Sequence, residues 1–210
     1  MTHSVRFFVG LLAVLLAVHP AAGQEKQYAL SNFDVTVHVR SDGSYEVEES
    51  ITYAFQQGSF SRAYRSVVRE GGGALRDVRV TSPDTPVDSV RTREVDGTRQ
   101  VRWAFPERSA PAQFNVRYVL EDVIYERGAR NEVRLDVMAD AAVVPTRDVD
   151  VRVVLPPAFD LQRDEIVADP EERGAVEREA GRLVASFHRD RVEEGDDYAV
   201  TVSFPKQVAG

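Results

Sequence analysis

The chain has 210 residues and no cysteine, and its 34 acidic residues outnumber 26 basic ones, giving a formal net charge of −8 at pH 7. Disulfides and thiolate metal sites are thereby excluded, so the fold must depend on its hydrophobic core. The negative charge argues against nucleic acid or an anionic membrane surface as a partner, because both select basic proteins.

The first 23 residues are organised like a secretory signal peptide. Arg6 precedes an apolar run, Phe7–Val18, and small residues occupy positions 21–23. At ~1.5 Å per residue these twelve apolar residues span about 18 Å, which is less than the ~30 Å of a bilayer core. We predict cleavage before Gln24 and a secreted or periplasmic chain, and an uncleaved anchor helix is the alternative.

Residues 33–55 predict a β-hairpin with one apolar face. Apolar and polar residues alternate on both sides of a turn at Asp42-Gly43. The predicted apolar face consists of Phe33, Val35, Val37, Val39, Tyr45, Val47, Ile51, Tyr53 and Phe55. Such alternation is typical of an antiparallel sheet that is buried on one side. Glu49 is the exception, because it falls on the apolar face.

The same alternation predicts further short strands along the rest of the chain. They are centred on Val78–Val80, Val90–Val95, Val101–Phe105, Phe114–Leu120, Val133–Val137, Val149–Leu155, Leu183–Phe187 and Tyr198–Phe204. The longest irregular stretches between them are Gly58–Ala74 and Asp122–Arg130. The charged stretch Pro170–Arg182 predicts at most a helical turn or two, since Gly174 and Gly181 disfavour a long helix.

Many closely spaced strands with turns rich in Asp, Gly and Pro predict an all-β fold, namely an antiparallel β-sandwich of the immunoglobulin-like or jelly-roll-like kind. Alternation alone does not separate a sandwich from a closed barrel. We predict one main domain over 24–210, with a possible sub-boundary near Pro156-Pro157, where a C-terminal pair of hairpins would begin.

The hairpin and the segment after it resemble the extracytoplasmic N-terminal domain of a bacterial family of predicted membrane proteins, the domain of unknown function 2207. The resemblance rests on Asp42-Gly43-Ser44, Val47, Glu49, Phe55, Tyr64-Arg65 and Val67-Val68. Members of that family continue into transmembrane helices. The resemblance therefore implies either a free-standing secreted form or a shortened membrane protein. Membrane association is expected only in the second case, or if the signal is not cleaved.

The sequence offers little for catalysis or metal binding. After residue 23 the only histidines are His38 and His188, far apart in sequence, and no Gly-x-Ser-x-Gly motif occurs. The acidic run 193–197 lacks the ligand spacing of an EF-hand loop and is predicted to be a hairpin turn. We predict no catalytic, cofactor or metal site, although 34 acidic residues leave a glycosidase-like carboxylate pair open.

Glu49 is expected to need a partner, because a carboxylate in the core is costly unless it is paired and hydrogen bonded. Arg65, in the following segment, is the predicted partner, and Arg62 is the alternative. A guanidinium can bind a carboxylate through two parallel hydrogen bonds. We interpret the pair as a structural ion pair that fixes strand register; a ligand-reading site at the rim of the sandwich is the other interpretation.

The favoured function is a non-catalytic extracytoplasmic domain that binds a protein or glycan partner at the cell envelope. Exposed Tyr and Arg in the irregular stretches are the residue types that anchor interfaces, so Tyr64, Arg69 and Tyr125 are the candidate interaction residues. The alternatives are a carboxylate-dependent hydrolase or carbohydrate-active enzyme, whose acids meet only in the fold, and a structural spacer of a membrane protein.

Overall fold

The computed structural model describes residues 26–67, 73–95, 97–121, 123–138, 144–171 and 174–206. The predicted signal peptide and Arg69 lie outside these ranges. The described residues contain fourteen strands. They are β1 (Gln27–Val39), β2 (Tyr45–Gln57), β3 (Phe60–Val67), β4 (Leu75–Thr81), β5 (Ser89–Val95), β6 (Thr98–Arg108), β7 (Ala112–Leu120), β8 (Tyr125–Arg127), β9 (Arg130–Asp136), β10 (Thr146–Val154), β11 (Val167–Asp169), β12 (Gly174–Glu179), β13 (Arg182–Val192) and β14 (Ala199–Pro205).

The strands form three open sheets, and the predicted all-β sandwich-like fold is confirmed. The largest sheet has seven strands in the order β12-β13-β10-β1-β2-β7-β4. A four-stranded sheet has the order β11-β14-β9-β8, and a three-stranded sheet has the order β3-β6-β5. Two short 3₁₀ helices, Pro157–Phe159 and Arg163–Glu165, lie between β10 and β11.

The predicted hairpin forms the centre of the large sheet. β1 and β2 pair antiparallel, with Val35 opposite Glu49 and Val37 opposite Val47. Inward residues of both strands are buried and alternate with half-buried outward residues. The alternation seen in the sequence therefore describes the face that covers the core, and Glu49 lies on that face.

All three sheets contribute to one hydrophobic core. Aromatic rings link the three-stranded sheet to the large sheet: the ring centroids of Trp103 and Phe105 lie 5.3 and 4.9 Å from that of Phe114. Rings in contact at such distances bury large areas and stabilise the packing beyond the area alone. Phe204, on the four-stranded sheet, packs against Phe159 of the first 3₁₀ helix.

One pair of neighbouring strands in the large sheet is parallel rather than antiparallel. β1 and β10 run in the same direction, with Val35 opposite Val151. A parallel pair needs a long crossover connection, and here that connection includes β2 to β9. As a result, two strands that are far apart in the sequence are neighbours in one sheet.

Two predicted irregular stretches contain strands, which corrects the sequence analysis. Within Gly58–Ala74, residues Phe60–Val67 form β3 and pair with β6. Within Asp122–Arg130, residues Tyr125–Arg127 form β8 and pair with β9. The sequence of β3 lacks a clear apolar alternation, because its inward positions include the small Ala63 and the charged Arg65.

The charged stretch Pro170–Arg182 also forms a strand instead of helical turns. Gly174–Glu179 is β12, the edge strand of the large sheet, and it pairs with β13. Its side chains are mostly exposed, so the burial that produces an apolar alternation is absent. The acidic run 193–197 is likewise not a hairpin turn, because it connects β13 and β14 of different sheets.

Candidate functional site

The structure brings Glu49 and Arg65 together in the core. Glu49 is only 2% exposed, and its Oε2 lies 2.9 Å from Arg65 Nε. Its other oxygen, Oε1, accepts a hydrogen bond of 2.8 Å from the Tyr118 hydroxyl. Arg62, the alternative partner, is exposed on the same strand as Arg65. The carboxylate thus has a charged donor and a neutral donor, one on each oxygen.

Arg65 connects the three sheets. It belongs to β3, its Nε binds Glu49 of β2, and its NH2 group donates a 2.9 Å hydrogen bond to the carbonyl oxygen of Val137, just after β9. Its guanidinium carbon lies 5.0 Å from the ring centroid of Phe33 on β1. The side chain of Arg65, on the three-stranded sheet, thus contacts Glu49 and Phe33 of the large sheet and the segment that follows β9 of the four-stranded sheet.

The protonation states of this network are fixed by its surroundings. Burial is the largest single influence and by itself would lower the pKa of Arg65. The charge of Glu49 and its hydrogen bond, together with Tyr118 and Tyr53, outweigh burial and raise that pKa above its usual value. Burial, followed by the charge of Glu49, raises the pKa of Tyr118 well above its usual value. Arg65 therefore stays charged, and Tyr118 keeps the proton that it donates to Glu49.

The space beside this ion pair is small. A cavity of about 60 Å³ is lined by Glu49, Arg65 and Tyr118 together with residues of β8 and β9. A volume of this size accommodates a few water molecules and no larger ligand. The geometry thus favours the interpretation of Glu49 and Arg65 as a structural ion pair over that of a ligand-reading site.

Tyr125 contributes to the lining of this cavity and is half-buried on β8. The predicted interaction loop is therefore a short strand at this point. Because Tyr125 borders the cavity and is half-buried, its side chain is only partly available to a partner. Tyr125 and Tyr64 belong to different sheets, since β8 is in the four-stranded sheet and β3 is in the three-stranded sheet.

Tyr64 lies on the outer face of the three-stranded sheet, 38% exposed, among arginines. In the strand register Tyr64 is opposite Arg102 of β6, and Arg102 is opposite Arg91 of β5. These three side chains form a row across the sheet. We call the surface formed by Arg62, Tyr64, Arg91, Arg93 and Arg102 the basic face.

The basic face carries positive charge without nearby compensation. Among the residues that the structure describes, no acidic residue lines its concave surface and no carboxylate forms an ion pair with its four arginines. Arg102 instead binds Gln100 Oε1 through Nε and NH2, at 3.0 and 2.7 Å, and its guanidinium carbon is 6.0 Å from the ring centroid of Tyr64. By contrast, Arg117 on the large sheet is paired with glutamates of β2.

The basic face is also concave. The depression above it has a volume of about 770 Å³. Besides the residues of the face, it is lined by Ala63, Ser89, Thr92, Trp103 and Ala104. Ligand sites in proteins usually have volumes in the range of ~300–1,000 Å³. The face therefore has the size of a ligand site, with several arginines and one exposed aromatic ring.

Sequence reasoning missed a polar cluster on the outer face of the large sheet. His188 of β13 binds Asp150 Oδ1 through Nδ1 and Asp190 Oδ1 through Nε2, both at 2.9 Å. Asp34 of β1 is opposite Asp150 in the parallel register. The β10–β13 pairing places His188 opposite Asp150, and the β1–β10 pairing places Asp34 beside Asp150. The β1–β10 pairing in particular leaves no local pattern in the sequence.

Two pKa values in this cluster are shifted. The hydrogen bonds to Asp190 and Asp150 raise the pKa of His188. Partial burial is the main cause that raises the pKa of Asp34, with a contribution from the charge of Asp150. Within the described ranges, no group of three or more His, Cys, Asp or Glu side chains has the arrangement of a metal site.

The fold and these surfaces define an all-β domain with a buried ion pair at the junction of its sheets and a basic concave face outside. The chain belongs to the family described as the predicted membrane protein (DUF2207) N-terminal domain, whose profile matches residues 29–205. The resemblance noted in the sequence is thus confirmed. No curated protein matches the sequence. None of the helical segments in the described ranges has the length and apolar character needed to cross a bilayer.

Several solved structures share the fold at low sequence identity. The M1 zinc metallopeptidase from Deinococcus radiodurans is 11% identical with a TM-score of 0.51, and the match covers 85% of this chain and 42% of that chain. Leukotriene A4 hydrolase from Saccharomyces cerevisiae is 8% identical, with a TM-score of 0.53 and coverages of 84% and 29%.

A Legionella pneumophila protein named for nutrient binding is 11% identical with a TM-score of 0.55, and the match covers 83% of this chain and 66% of that chain. The present chain thus spans between 29% and 66% of the length of these three proteins. At these identities the likeness concerns the fold alone.

Proposed function

We propose that this chain is a non-catalytic, extracytoplasmic β-sandwich domain that binds a protein or glycan partner at the cell envelope through its basic face. The location follows the signal peptide predicted from residues 1–23 and the membrane-protein family to which the chain belongs. The chain acts outside the cytoplasm once that signal has been cleaved, as a recognition domain rather than as an enzyme.

The observation that carries this proposal is the basic face. A chain with a net charge of −8 places four arginines and an exposed tyrosine on one concave surface, and none of the described residues that line it is acidic. Arginine and tyrosine are the residue types that most often dominate binding energy at interfaces. Unpaired like charges on neighbouring strands repel one another, so such a cluster costs stability and is expected to serve binding.

The state of Glu49 supports a role outside catalysis. It is the only buried acidic residue within the described ranges. Both of its oxygens are occupied by Arg65 and Tyr118, and the adjoining cavity is too small for a substrate. An acid held in this way stabilises the fold and has no oxygen available to act on a bound molecule.

The experiment is a crosslinking pull-down from the native cell envelope with the purified chain as bait. Three baits are compared: the unmodified chain, the basic-face variant Arg91→Gln/Arg102→Gln, and the control Arg79→Gln/Arg163→Gln. The control changes the net charge equally at two exposed arginines outside the basic face. We expect one specific partner with the unmodified chain and the control, and its loss with the basic-face variant. If folded bait captures nothing, a structural spacer is favoured.

The second candidate is a carboxylate-dependent hydrolase, favoured by the cluster of Asp34, Asp150 and His188. A carboxyl group whose pKa is raised by burial next to a second carboxylate is a feature of acid–base sites. Hydrolysis of glycan or peptide substrates that is abolished by Asp34→Asn or Asp150→Asn would support it. Because this cluster and the basic face belong to different sheets, the two candidates respond to different variants.

A further inference from the structure

We propose that the ligand of the basic face is an anionic glycan, a linear chain of sugars that bear carboxylate groups. This inference rests on the proposed function and specifies its partner class. In this arrangement the arginines bind the carboxylate groups, and the tyrosine ring packs against the apolar side of a sugar ring.

The positions of the arginines suit a ligand with regularly repeated negative charges. Arg102 and Arg91 are direct neighbours on adjacent strands, so their backbones are about 4.8 Å apart. Arg93 follows Arg91 on the same face two residues along β5, a step of about 7 Å. A linear chain of acidic sugars that lies across the sheet therefore meets successive arginines, and each guanidinium can bind a carboxylate through two parallel hydrogen bonds.

Tyr64 adds the contact that a chain of sugars needs and a simple anion does not. Its ring is exposed beside Arg102, at 6.0 Å from the guanidinium carbon. A tyrosine presents a flat apolar body and a polar tip, and a pyranose presents an apolar C–H face surrounded by hydroxyl groups. Ser89, which lines the same depression and shares its face of β5 with Arg91 and Arg93, offers a hydroxyl group for a hydrogen bond to the sugar.

The shape of the face and the nature of its lining favour a glycan over other anionic partners. A flat bilayer surface does not enter a concave depression of about 770 Å³, whereas an oligosaccharide does. Peptide recognition usually needs apolar pockets for side chains, and the exposed lining residues here are arginines, serine, threonine and one tyrosine. The nearest acid on β5, Glu94, pairs with Arg99 at 3.6 Å and alternates to the opposite side of the strand from Arg93.

The test measures binding of a fluorescently labelled hexamer of galacturonate to the purified full chain, with neutral maltohexaose as the matched uncharged probe. We expect the hexamer to bind and maltohexaose not to bind. Loss of two charge-assisted contacts in Arg91→Gln/Arg102→Gln should weaken binding about tenfold or more, while Arg79→Gln/Arg163→Gln should not change it. Tyr64→Ala should weaken binding without changing its dependence on salt, whereas loss of the arginines should reduce that dependence.

Three results would overturn the inference. They are equal binding of maltohexaose, equal loss of binding in the control variant, and binding only of phosphatidylglycerol vesicles or of an oligoglutamate peptide. Circular dichroism of each variant establishes that it is folded. If the galacturonate hexamer fails while the envelope pull-down still depends on Arg91 and Arg102, the glycan assignment falls and the binding function stands. If both fail, both proposals fall.

Discussion

At the residue scale, Glu49 shows what a charge needs in order to lie in a core of valines and aromatic rings. Both of its oxygens are hydrogen bonded, one by Arg65 and one by Tyr118. Removing one partner of a buried ion pair lowers the free energy of unfolding by much more than the intact pair contributes to it, because the remaining charge is then buried without compensation.

We therefore expect Glu49→Gln to lower the free energy of unfolding by about 3 kcal/mol, because the charge of Arg65 would lose its partner. Glu48 is the matched control, since it pairs with Arg117 on the exposed side of the same strand. Glu48→Gln should change the free energy of unfolding little, because water screens an exposed ion pair. Urea unfolding followed by circular dichroism measures both values. Equal unfolding midpoints for the two variants would contradict the assignment of Glu49.

His188 predicts a specific dependence of stability on pH. Its pKa in the folded state is raised above the ordinary value of 6.5 by hydrogen bonds to Asp190 and Asp150. The folded state thus binds the proton more tightly than the unfolded state, and the stabilisation is complete below the unfolded pKa. It is lost as pH rises through the raised folded pKa.

The corresponding measurement is the free energy of unfolding of the unmodified chain minus that of His188→Gln, over a series of pH values. This difference should be largest below about pH 6.5 and should shrink as pH increases. A difference that is constant or that grows with pH would show that the two hydrogen bonds do not stabilise the protonated ring.

At the element scale, the β12–β13 hairpin has a turn whose backbone suits other residues better than its own. Ala180 and Gly181 have φ values of 46° and 80°. Two successive positive φ angles are those of a type I′ turn, which prefers Asn followed by Gly. Alanine at the first position is strained, because its Cβ crowds the following carbonyl oxygen.

We expect Ala180→Asn to raise the free energy of unfolding by about 0.5 kcal/mol, and Ala180→Val to lower it by at least as much. Thermal unfolding of the two variants and the unmodified chain provides the comparison. Because residue 180 is exposed, contacts in the core do not change. The opposite order of stabilities would mean that the turn has another conformation.

The elements also show why part of this fold was predictable and part was not. β1 and β2 were predictable because their inward residues are apolar, and because a two-residue turn signal separates them. β3 was not, because Arg65 occupies an inward position that local alternation assigns to an apolar residue. Tyr118 lies on the predicted inward face of β7. Because a buried hydroxyl needs a hydrogen-bond partner, the sequence contained a signal for the contact between Tyr118 and Glu49. The parallel β1–β10 pairing joins distant segments and leaves no local signal.

The basic face illustrates the same limit for the candidate site. Tyr64 was recognisable as a candidate from its residue type and neighbours, but its relation to Arg91 and Arg102 depends on the order β3-β6-β5. Alternation within one strand gives the face of each residue. It does not give the neighbouring strand, so the convergence of four arginines on one surface becomes visible only in the structure.

At the scale of the whole molecule, strands that are distant in the sequence are neighbours within the sheets. β13 lies beside β10 in the large sheet, and β14 lies between β9 and β11 in the four-stranded sheet. Arg65 links these two sheets and the three-stranded sheet through Glu49 and the carbonyl oxygen of Val137. Such interleaving favours cooperative unfolding over the loss of one part at a time.

We therefore expect a single unfolding transition. Trp103 is the only tryptophan and is buried on the three-stranded sheet, so its fluorescence reports on that sheet, while far-ultraviolet circular dichroism reports on all strands. The two midpoints in urea should coincide in the unmodified chain and in Glu48→Gln. In Glu49→Gln they should separate, with fluorescence changing first, because the ion pair that holds β3 against the large sheet has been lost. Coincident midpoints in Glu49→Gln would mean that packing of the aromatic rings, and not the ion pair, couples the sheets.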